Sequence, residues 1–173
     1  EAVKTLKTLS TIKVMGMEME ATTLEMAPNK SKAVQKIMGQ EMVQVFDGEK
    51  GYMMQAGQRM DLPAPAIEEA KKKRLFEVLS YNPADFKTVE KVTEEGKELY
   101  LLAGAGKKLY FDTKTNLLVK STSDKGDMVI LDYMEVDGIK FPKNLKLAMM
   151  GQNMEMTNNQ IIVNKEVSAE DFK

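Results

Sequence analysis

Apolar and polar residues alternate in short runs along most of the chain. Because strand side chains point to opposite faces at each step, this alternation predicts β-strands that each carry one apolar face. Clusters of Gly, Asn and Asp separate the runs, and these residues tolerate the positive φ angles of tight turns. Such spacing is typical of an antiparallel meander, so a mainly β fold is expected. The runs cover residues 42–46, 52–55, 99–102, 109–111, 128–133, 145–149 and 154–158.

One segment instead has the period of an α-helix. A narrow apolar stripe at helical spacing predicts a helix over Ile67–Tyr81, which Asn82-Pro83 is expected to end. Residues 55–66, which contain one glycine and two prolines, are expected to form a mobile hinge before it. A second, shorter helix is expected over Glu1–Leu9. The members of the main stripe are Ile67, Ala70, Leu75, Val78 and Leu79.

The basic run Lys71-Lys72-Lys73-Arg74 lies inside this predicted helix. A cluster of cations can bind anionic lipid. Glu68 and Glu69, however, stand four residues before Lys72 and Lys73, and pairs with this spacing stabilise an exposed helix. A solvated helix face is therefore the favoured interpretation of the run.

Methionine is concentrated on predicted strand faces, with 15 residues in the chain. Met15, Met17 and Met19 alternate with small or polar residues, and Met154 and Met156 repeat the pattern. Such a face can be an ordinary core, or it can be the wall of a cavity for a hydrophobic ligand, because methionine adapts to irregular partners. Thioethers also select Cu(I). Neighbours on one strand face stand roughly 7 Å apart, so a copper site would need partners from adjacent strands.

The composition is that of a globular protein, with 43% hydrophobic residues, 29% charged residues and a net charge of -1. The basic surplus that nucleic acid binding requires is missing. No apolar run approaches the roughly 18 residues that cross a bilayer, so a membrane-spanning chain is not expected. The length predicts a single domain over residues 1–173. Because the chain begins at Glu1 without an initiator methionine, a mature or trimmed product is expected.

The chain contains neither histidine nor cysteine. This removes Ser-His-Asp and Cys-His nucleophilic systems and zinc sites built from His or Cys. No catalytic residue, metal ligand or cofactor is therefore predicted, and an enzyme is not expected. The carboxylates Asp47, Asp112, Asp124 and Asp137 all lie in turns, where Asp bonds its own backbone, so they are interpreted as turn formers.

Several motifs follow one another in a recognisable order. Residues 24–54 read LEMAPNKSKAVQKIMGQEMVQVFDGEKGYMM, with a Pro-Asn turn, a hairpin, a strand entering Asp-Gly and an aromatic strand at Tyr52. Residues 109–121 and 132–147 add an Asp-x-x-Thr-x-Leu turn and a Val-Asp-Gly-Ile-Lys-Phe-Pro hairpin. Together they resemble the LolA/LolB-like superfamily of periplasmic lipoprotein-sorting proteins, in its Bacteroidetes-type branch. The resemblance covers nearly the whole chain.

The resemblance implies a strongly curved antiparallel sheet, an incomplete β-barrel whose open side is covered by helices, with residues 67–81 as the lid. It implies a non-enzymatic carrier in the periplasm, or tethered to the outer membrane, of a Gram-negative bacterium. The ligand would be a lipid or a lipoprotein acyl chain held between sheet and lid. The expected lining residues are Met17, Met19, Leu24, Met26, Met42, Tyr52, Leu75, Leu79, Met149, Met154 and Met156.

One departure limits what the resemblance transfers. Lipoprotein carriers of the family have an arginine immediately before the Pro-Asn turn, which bonds to the lid and holds it shut when empty. This chain has Ala27 there, so that opening and closing cycle cannot be carried over. The alternative function is an accessory or sensor module of the cell envelope that binds a protein partner and fills its cavity with its own side chains.

Overall fold

The computed structural model describes residues 2–76, 81–149 and 151–173 of the chain. Within these residues it contains thirteen β-strands, one α-helix and two short 3₁₀ helices. The strands are β1 (Thr5–Val14), β2 (Met17–Met26), β3 (Lys30–Ile37), β4 (Gln40–Phe46), β5 (Gly51–Gln55), β6 (Gln58–Asp61), β7 (Thr88–Glu94), β8 (Lys97–Gly104), β9 (Lys107–Asp112), β10 (Leu118–Ser123), β11 (Gly126–Val136), β12 (Ile139–Met149) and β13 (Gln152–Val163). Helix α1 spans Ala64–Lys72, and the 3₁₀ helices span Pro83–Asp85 and Ala169–Phe172.

All thirteen strands form one antiparallel sheet with the order β6-β5-β4-β3-β2-β1-β13-β12-β11-β10-β9-β8-β7. The first and last strands, β1 and β13, pair in its middle. Strands β6 and β7 follow one another in the chain and yet form the two opposite edges, so residues 62–87 connect one edge with the other. The sheet is curved and does not close, which confirms the predicted mainly β fold of an incomplete barrel.

The register assigns the strand residues to two faces, because opposed residues in antiparallel strands share a face. Leu6, Phe141, Ile161 and Val163 form a buried cluster on one of them, which we call the inner face. Leu75 and Phe76 of the edge-to-edge connection pack against this cluster. The ring of Phe76 stacks on Phe141 with the centroids 5.9 Å apart. The connection therefore covers the inner face near the chain termini.

The outer face carries a separate core. Leu99, Leu101 and Tyr110 form a buried cluster there, on β8 and β9. Near the other edge of the sheet, Val45 and Phe172 are almost completely buried. The curved sheet is thus packed on both faces, but at different places along its width.

The predicted helix over Glu1–Leu9 is wrong, because Thr5–Val14 form β1 instead. This strand pairs with β2 on one side and β13 on the other. It is rich in β-branched threonine, isoleucine and valine, which favour a strand, and two full ladders of hydrogen bonds outweigh a short apolar stripe at helical spacing.

The main helix differs from its predicted bounds. It begins at Ala64, three residues early, with Pro65 in its first turn, and it ends at Lys72 instead of Tyr81. Arg74 donates to the carbonyl oxygens of Lys71 and Lys73 at 3.0 and 2.9 Å, which satisfies acceptors left free at the helix end. Residues 77–80 of the prediction lie outside the described residues. None of the helices in the described part of the chain has the length and apolar character needed to span a membrane.

Leu75 of the predicted helical stripe lies beyond the helix. With Phe76 it follows a bent path onto the inner-face cluster, so tertiary packing on Phe141 replaces further helical turns. The predicted hinge over residues 55–66 is also wrong in part. It contains the tight turn at Ala56, the whole of β6 and the first turn of α1.

Two-residue hairpin turns with positive φ at both positions join many of the strands, as in type I′ turns. Hairpins of a meander alternate between its two ends, and one end, which we call the tip end, carries apolar residues at the first turn position. At the opposite end this position holds Glu95 or Asp137. The apolar residues at the tip end are Met15, Met38, Ala56 and Ala105, with φ of 51°, 49°, 50° and 49°.

Met15, which the alternation placed on one strand face with Met17 and Met19, lies in a turn instead, and the strand begins at Met17. Met15 and Met38 are 76% and 89% exposed, so packing compensates little for a backbone conformation that disfavours bulky side chains. Both residues are candidates for stabilising substitution.

Met15→Asn and Met38→Asn are each expected to raise the free energy of unfolding by up to about 1 kcal/mol, because asparagine tolerates left-handed backbone. Urea denaturation measures the change. Met54→Asn is the control, since Met54 lies inside strand β5, where asparagine is disfavoured. Destabilisation by the turn variants as large as in the control would contradict the turn assignment.

Candidate functional site

Two rows of apolar side chains cross the inner face next to the tip end. In the first row Val14 stands between Met17 and Met154, and the row continues through Leu147 and Met128. The second row repeats this arrangement two residues further from the tips. We call these ten residues the apolar belt: Met17, Val14, Met154, Leu147 and Met128 in the first row, and Met19, Ile12, Met156, Leu145 and Ile130 in the second.

The belt is only partly covered. Met17 is 44% exposed, and the rest of the first row is half-buried. In the second row Leu145 and Ile130 are buried. The inner face therefore has two halves: one near the termini, which Leu75 and Phe76 fill, and one near the tips, where apolar side chains remain accessible. Accessible apolar side chains side by side on five strands form the kind of surface that binds hydrophobic partners.

The structure brings together five of the predicted lining residues. Met17, Met19, Met154 and Met156 belong to the belt, and Met149 lies one inner-face position beyond Leu147 in the same strand. Met42 faces the same side from β4, two strands away from β2. The alternation of methionine in the sequence therefore located the inner face on four strands.

Four predicted residues do not reach the belt. The register places Leu24, Met26 and Tyr52 on the outer face, because they have the opposite parity to Met17 and Met19 along connected strands. The Tyr52 hydroxyl donates to the carbonyl oxygen of Lys173 at 3.0 Å. Leu75 is used in the core that fills the other half of the inner face. The remaining predicted residue, Leu79, lies outside the described residues.

The register also bears on the copper alternative. Met17 and Met154 are separated by Val14, and Met19 and Met156 by Ile12, so each pair is two strand spacings, about 10 Å, apart across the sheet. The residue directly opposite each of these methionines on β1 is a branched aliphatic one. The cross-strand thioether partners that Cu(I) would need are therefore not supplied by β1.

Helix α1 is fastened to the sheet by polar contacts at its surface. The Glu69 carboxylate pairs with Lys125 of the β10–β11 turn at 2.5 Å, and this contact lowers the pKa of Glu69. Two residues further along the helix, the Asn29 amide donates to the carbonyl oxygen of Lys71 at 3.4 Å. No residue of α1 is buried. Exposed ion pairs contribute little because water screens them, so α1 is a loosely held cover.

The predicted pairing of the basic run is replaced by other contacts. Lys71 pairs with Glu68 at i,i+3, 3.0 Å apart, and Glu69 pairs with Lys125 instead of Lys73. Lys73 lies beyond the helix end, beside the inner face. A continuous solvated helix face is thus correct for Lys71 and Lys72 alone.

Lys73 borders a cavity of about 260 Å³ on the inner face that the sequence did not lead us to expect. Glu25 stands in this cavity, and burial raises the pKa of its carboxyl while Lys73 lowers it in part. The alternation along β2 could have predicted that Glu25 faces inward, because Glu25 is an even number of positions from Met17 and Met19 and therefore shares their face. The cavity is lined by Thr23, Glu25, Met26, Asn29, Lys30, Ser31, Ala33, Gln44, Lys73 and Leu75.

A larger cavity of about 600 Å³ lies near the β6 edge of the sheet, on the outer face. Val45 and Phe172 contribute apolar surface, and Ile67 of α1 forms part of its wall. The guanidinium of Arg59 lies 3.8 Å from the centroid of the Tyr52 ring beside it. This cavity lies on the opposite side of the sheet from the belt.

Two of the four aspartates predicted to form turns, Asp47 and Asp112, accept hydrogen bonds from residues of their own turns. Asp47 accepts hydrogen bonds from the backbone N–H groups of Lys50 and Glu49 at 2.7 and 2.8 Å, which hold the pKa of its carboxyl below the usual range. Asp112 accepts from Thr115 and Lys114 with the same effect on its pKa. Both carboxylates are committed to turn geometry.

Two solved structures of bacterial proteins are similar to this fold. One, described as an outer membrane lipoprotein-sorting protein domain from Vibrio parahaemolyticus, has a TM-score of 0.63 at 9% identity, covering 99% of this chain and 89% of that one. The other, a DUF1329 family protein from Desulfovibrio piger, has a TM-score of 0.61 at 9% identity, covering 100% and 91%. No protein-family model and no curated protein sequence matches the chain. The likeness confirms the predicted LolA/LolB-like fold.

Glu25→Gln is expected to stabilise the protein at pH 7. Burial places the folded-state pKa of Glu25 above its unfolded value, so the folded chain holds the proton more tightly than the unfolded chain does. The wild type therefore loses stability as the pH rises from the unfolded pKa through the folded pKa. The variant lacks this loss, so its advantage in thermal unfolding should grow between pH 4 and pH 7.

Glu20→Gln is the matched control, since Glu20 lies on the same strand and faces outward. Its unfolding temperature should follow that of the wild type over the same pH range. An advantage of Glu25→Gln that shrinks as the pH rises would show that the Glu25 carboxylate is stabilising where it stands.

Proposed function

We propose that this protein is a non-enzymatic carrier of the cell envelope of a Gram-negative bacterium, located in the periplasm or tethered to the outer membrane. Its ligand is a lipid or a lipoprotein acyl chain, which lies against the apolar belt beneath α1. The observation that carries the proposal is the belt itself, an accessible apolar surface on the inner face of an unclosed sheet.

Physical chemistry supports this use of the belt. Apolar surface removed from water contributes about 25 cal/mol per Å², so an acyl chain gains affinity without a strong polar anchor. Unbranched methionine side chains adjust to a flexible chain at low cost. The loosely held helix α1 can move aside while a ligand enters.

The fold supports the same class of function. The similar structure from Vibrio parahaemolyticus is described as a lipoprotein-sorting domain, and we extend that role to this chain. The belt lies on the inner face of the sheet, which the connection over residues 62–87 covers elsewhere. The absence of histidine and cysteine from the sequence agrees with binding in place of catalysis.

A second candidate, an accessory or sensor module with an envelope protein as its partner, has one observation in its favour. Phe76 and Leu75 fill the half of the inner face near the termini, as in a protein that occupies its own cavity. The accessible half near the tips favours the carrier, because a self-filled module gains nothing from half-exposed methionines there.

Met17→Glu is expected to weaken the binding of a fluorescent long-chain fatty acid by roughly tenfold or more, because the ligand would have to cover a charge. The matched control is Met54→Glu. Met54 is 39% exposed, against 44% for Met17, but it faces outward. Both changes lie on accessible surface, so both variants are expected to fold.

Native mass spectrometry of the purified wild type, followed by solvent extraction, identifies any lipid carried along. The carrier proposal predicts a bound apolar species that Met17→Glu loses and Met54→Glu keeps. If the wild type binds neither lipid nor fatty acid, or if both variants lose binding equally, the carrier proposal is wrong and the module becomes the better account.

A further inference from the structure

Glu25 is a charged residue on the inner face, in a cavity whose lining also includes Lys30 and Lys73. Strands β1 to β6 and β13 are fully described, and the register places no other charged residue on their inner face. In its row across the sheet Glu25 stands between Leu6 and Ser31, with Phe46 beyond Ser31. Leu6 and Phe46 are both buried. A carboxylate beside such residues is costly unless it gains a partner.

The cavity around Glu25 contains polar groups without protein partners. Among the described residues, the side chains of Glu25, Thr23, Ser31 and Gln44 make no hydrogen bond or ion pair with the protein. Together they offer a negative charge, two hydroxyl groups and an amide within one hollow. This set can accept several hydrogen bonds from a small polar group.

The cavity and the belt are connected along one strand. From Glu25, the inner-face positions of β2 run through Thr23 and Ala21 to Met19 and Met17. Thr23 and Met19 are four residues apart, which is about 13 Å along a strand. A molecule lying along β2 therefore meets a polar hollow at one end and apolar side chains at the other.

We propose that Glu25 receives the polar end of the ligand, and that this end carries a hydrogen-bond donor, either a hydroxyl or an ammonium group. This rests on the proposed carrier function and adds the ligand class to it: an amphiphile whose chain lies on the belt and whose donor group bonds to the Glu25 carboxylate. A carboxylate only accepts hydrogen bonds, so an ester or a carboxylate head group is a poorer match.

Lys73 offers a competing explanation. It is the cation whose charge acts on Glu25, and it lies on the segment that covers the inner face. If Glu25 served only to hold this segment through Lys73, removing either charge would have the same effect. If Glu25 binds ligand, removing Lys73 frees the carboxylate for the incoming donor.

The test compares three probes with the same twelve-carbon chain: monolaurin, dodecylamine and methyl laurate. Each displaces a bound apolar naphthalene dye from the full chain, below its micelle concentration. Glu25→Gln is expected to weaken monolaurin and dodecylamine by about tenfold or more, since hydrogen bonds to a charged acceptor are strong. Methyl laurate should bind with unchanged affinity, and Glu20→Gln should leave all three unchanged.

Lys73→Met separates the two explanations. The proposal expects this variant to bind dodecylamine as tightly as the wild type, or more tightly. Loss of dodecylamine binding equal to that in Glu25→Gln would overturn the proposal in favour of a structural pair. Equal changes for all three probes in Glu25→Gln would also overturn it.

Methyl laurate distinguishes failure of this inference from failure of the carrier function. If methyl laurate binds and Glu25→Gln leaves the affinities for monolaurin and dodecylamine unchanged, the belt binds chains and the proposed polar site is wrong. If methyl laurate and the other probes all fail to bind the wild type, the carrier function is wrong and the inference falls with it.

Discussion

The arrangement of this protein depends on one topological constraint. Strands β6 and β7 are consecutive in the chain but occupy opposite edges of a thirteen-stranded sheet. Twelve strand spacings would separate these edges by about 58 Å in a flat sheet, so curvature brings them within reach of the connection over residues 62–87. That connection contains α1 and the Leu75-Phe76 pair. Curvature gives the sheet an inner face, and the same constraint places a covering segment over part of it.

The cover divides the inner face into regions with different tasks. Near the termini, Phe76 on Phe141 makes a core that holds the connection in place. Near the tips, the belt gains little from the protein's own packing, and the exposed methionines at φ near 50° in the turns add a local cost to stability. The buried Glu25 carboxyl adds a further cost, on the inner face. Features that lower stability and contribute nothing to packing are expected where a protein binds a ligand or a partner.

The sequence predicted the sheet better than it predicted the cover. Period-two alternation is set by strand geometry, so the seven predicted strands all exist and Met17, Met19, Met154 and Met156 share a face as expected. The helix was predicted too long because Leu75 continues a helical stripe although its packing is tertiary. Tyr52 was predicted to line the cavity because of its residue type, and only the register reveals that it faces outward. Glu25 was missed because β2 also contains Glu18 and Glu20, and only the parity of the strand separates the inward-facing Glu25 from these two outward-facing residues.

The central claim is that a hydrophobic ligand lies on the belt and not in the larger hollow on the outer face. A long-chain fatty acid bearing a diazirine, activated by light in complex with the protein, labels the residues that it touches. Peptide mapping by mass spectrometry should then find the label on β1, β2, β12 and β13, at belt residues such as Met17 and Met154. Label concentrated around Val45 and Phe172, which line the outer cavity, would contradict the claim.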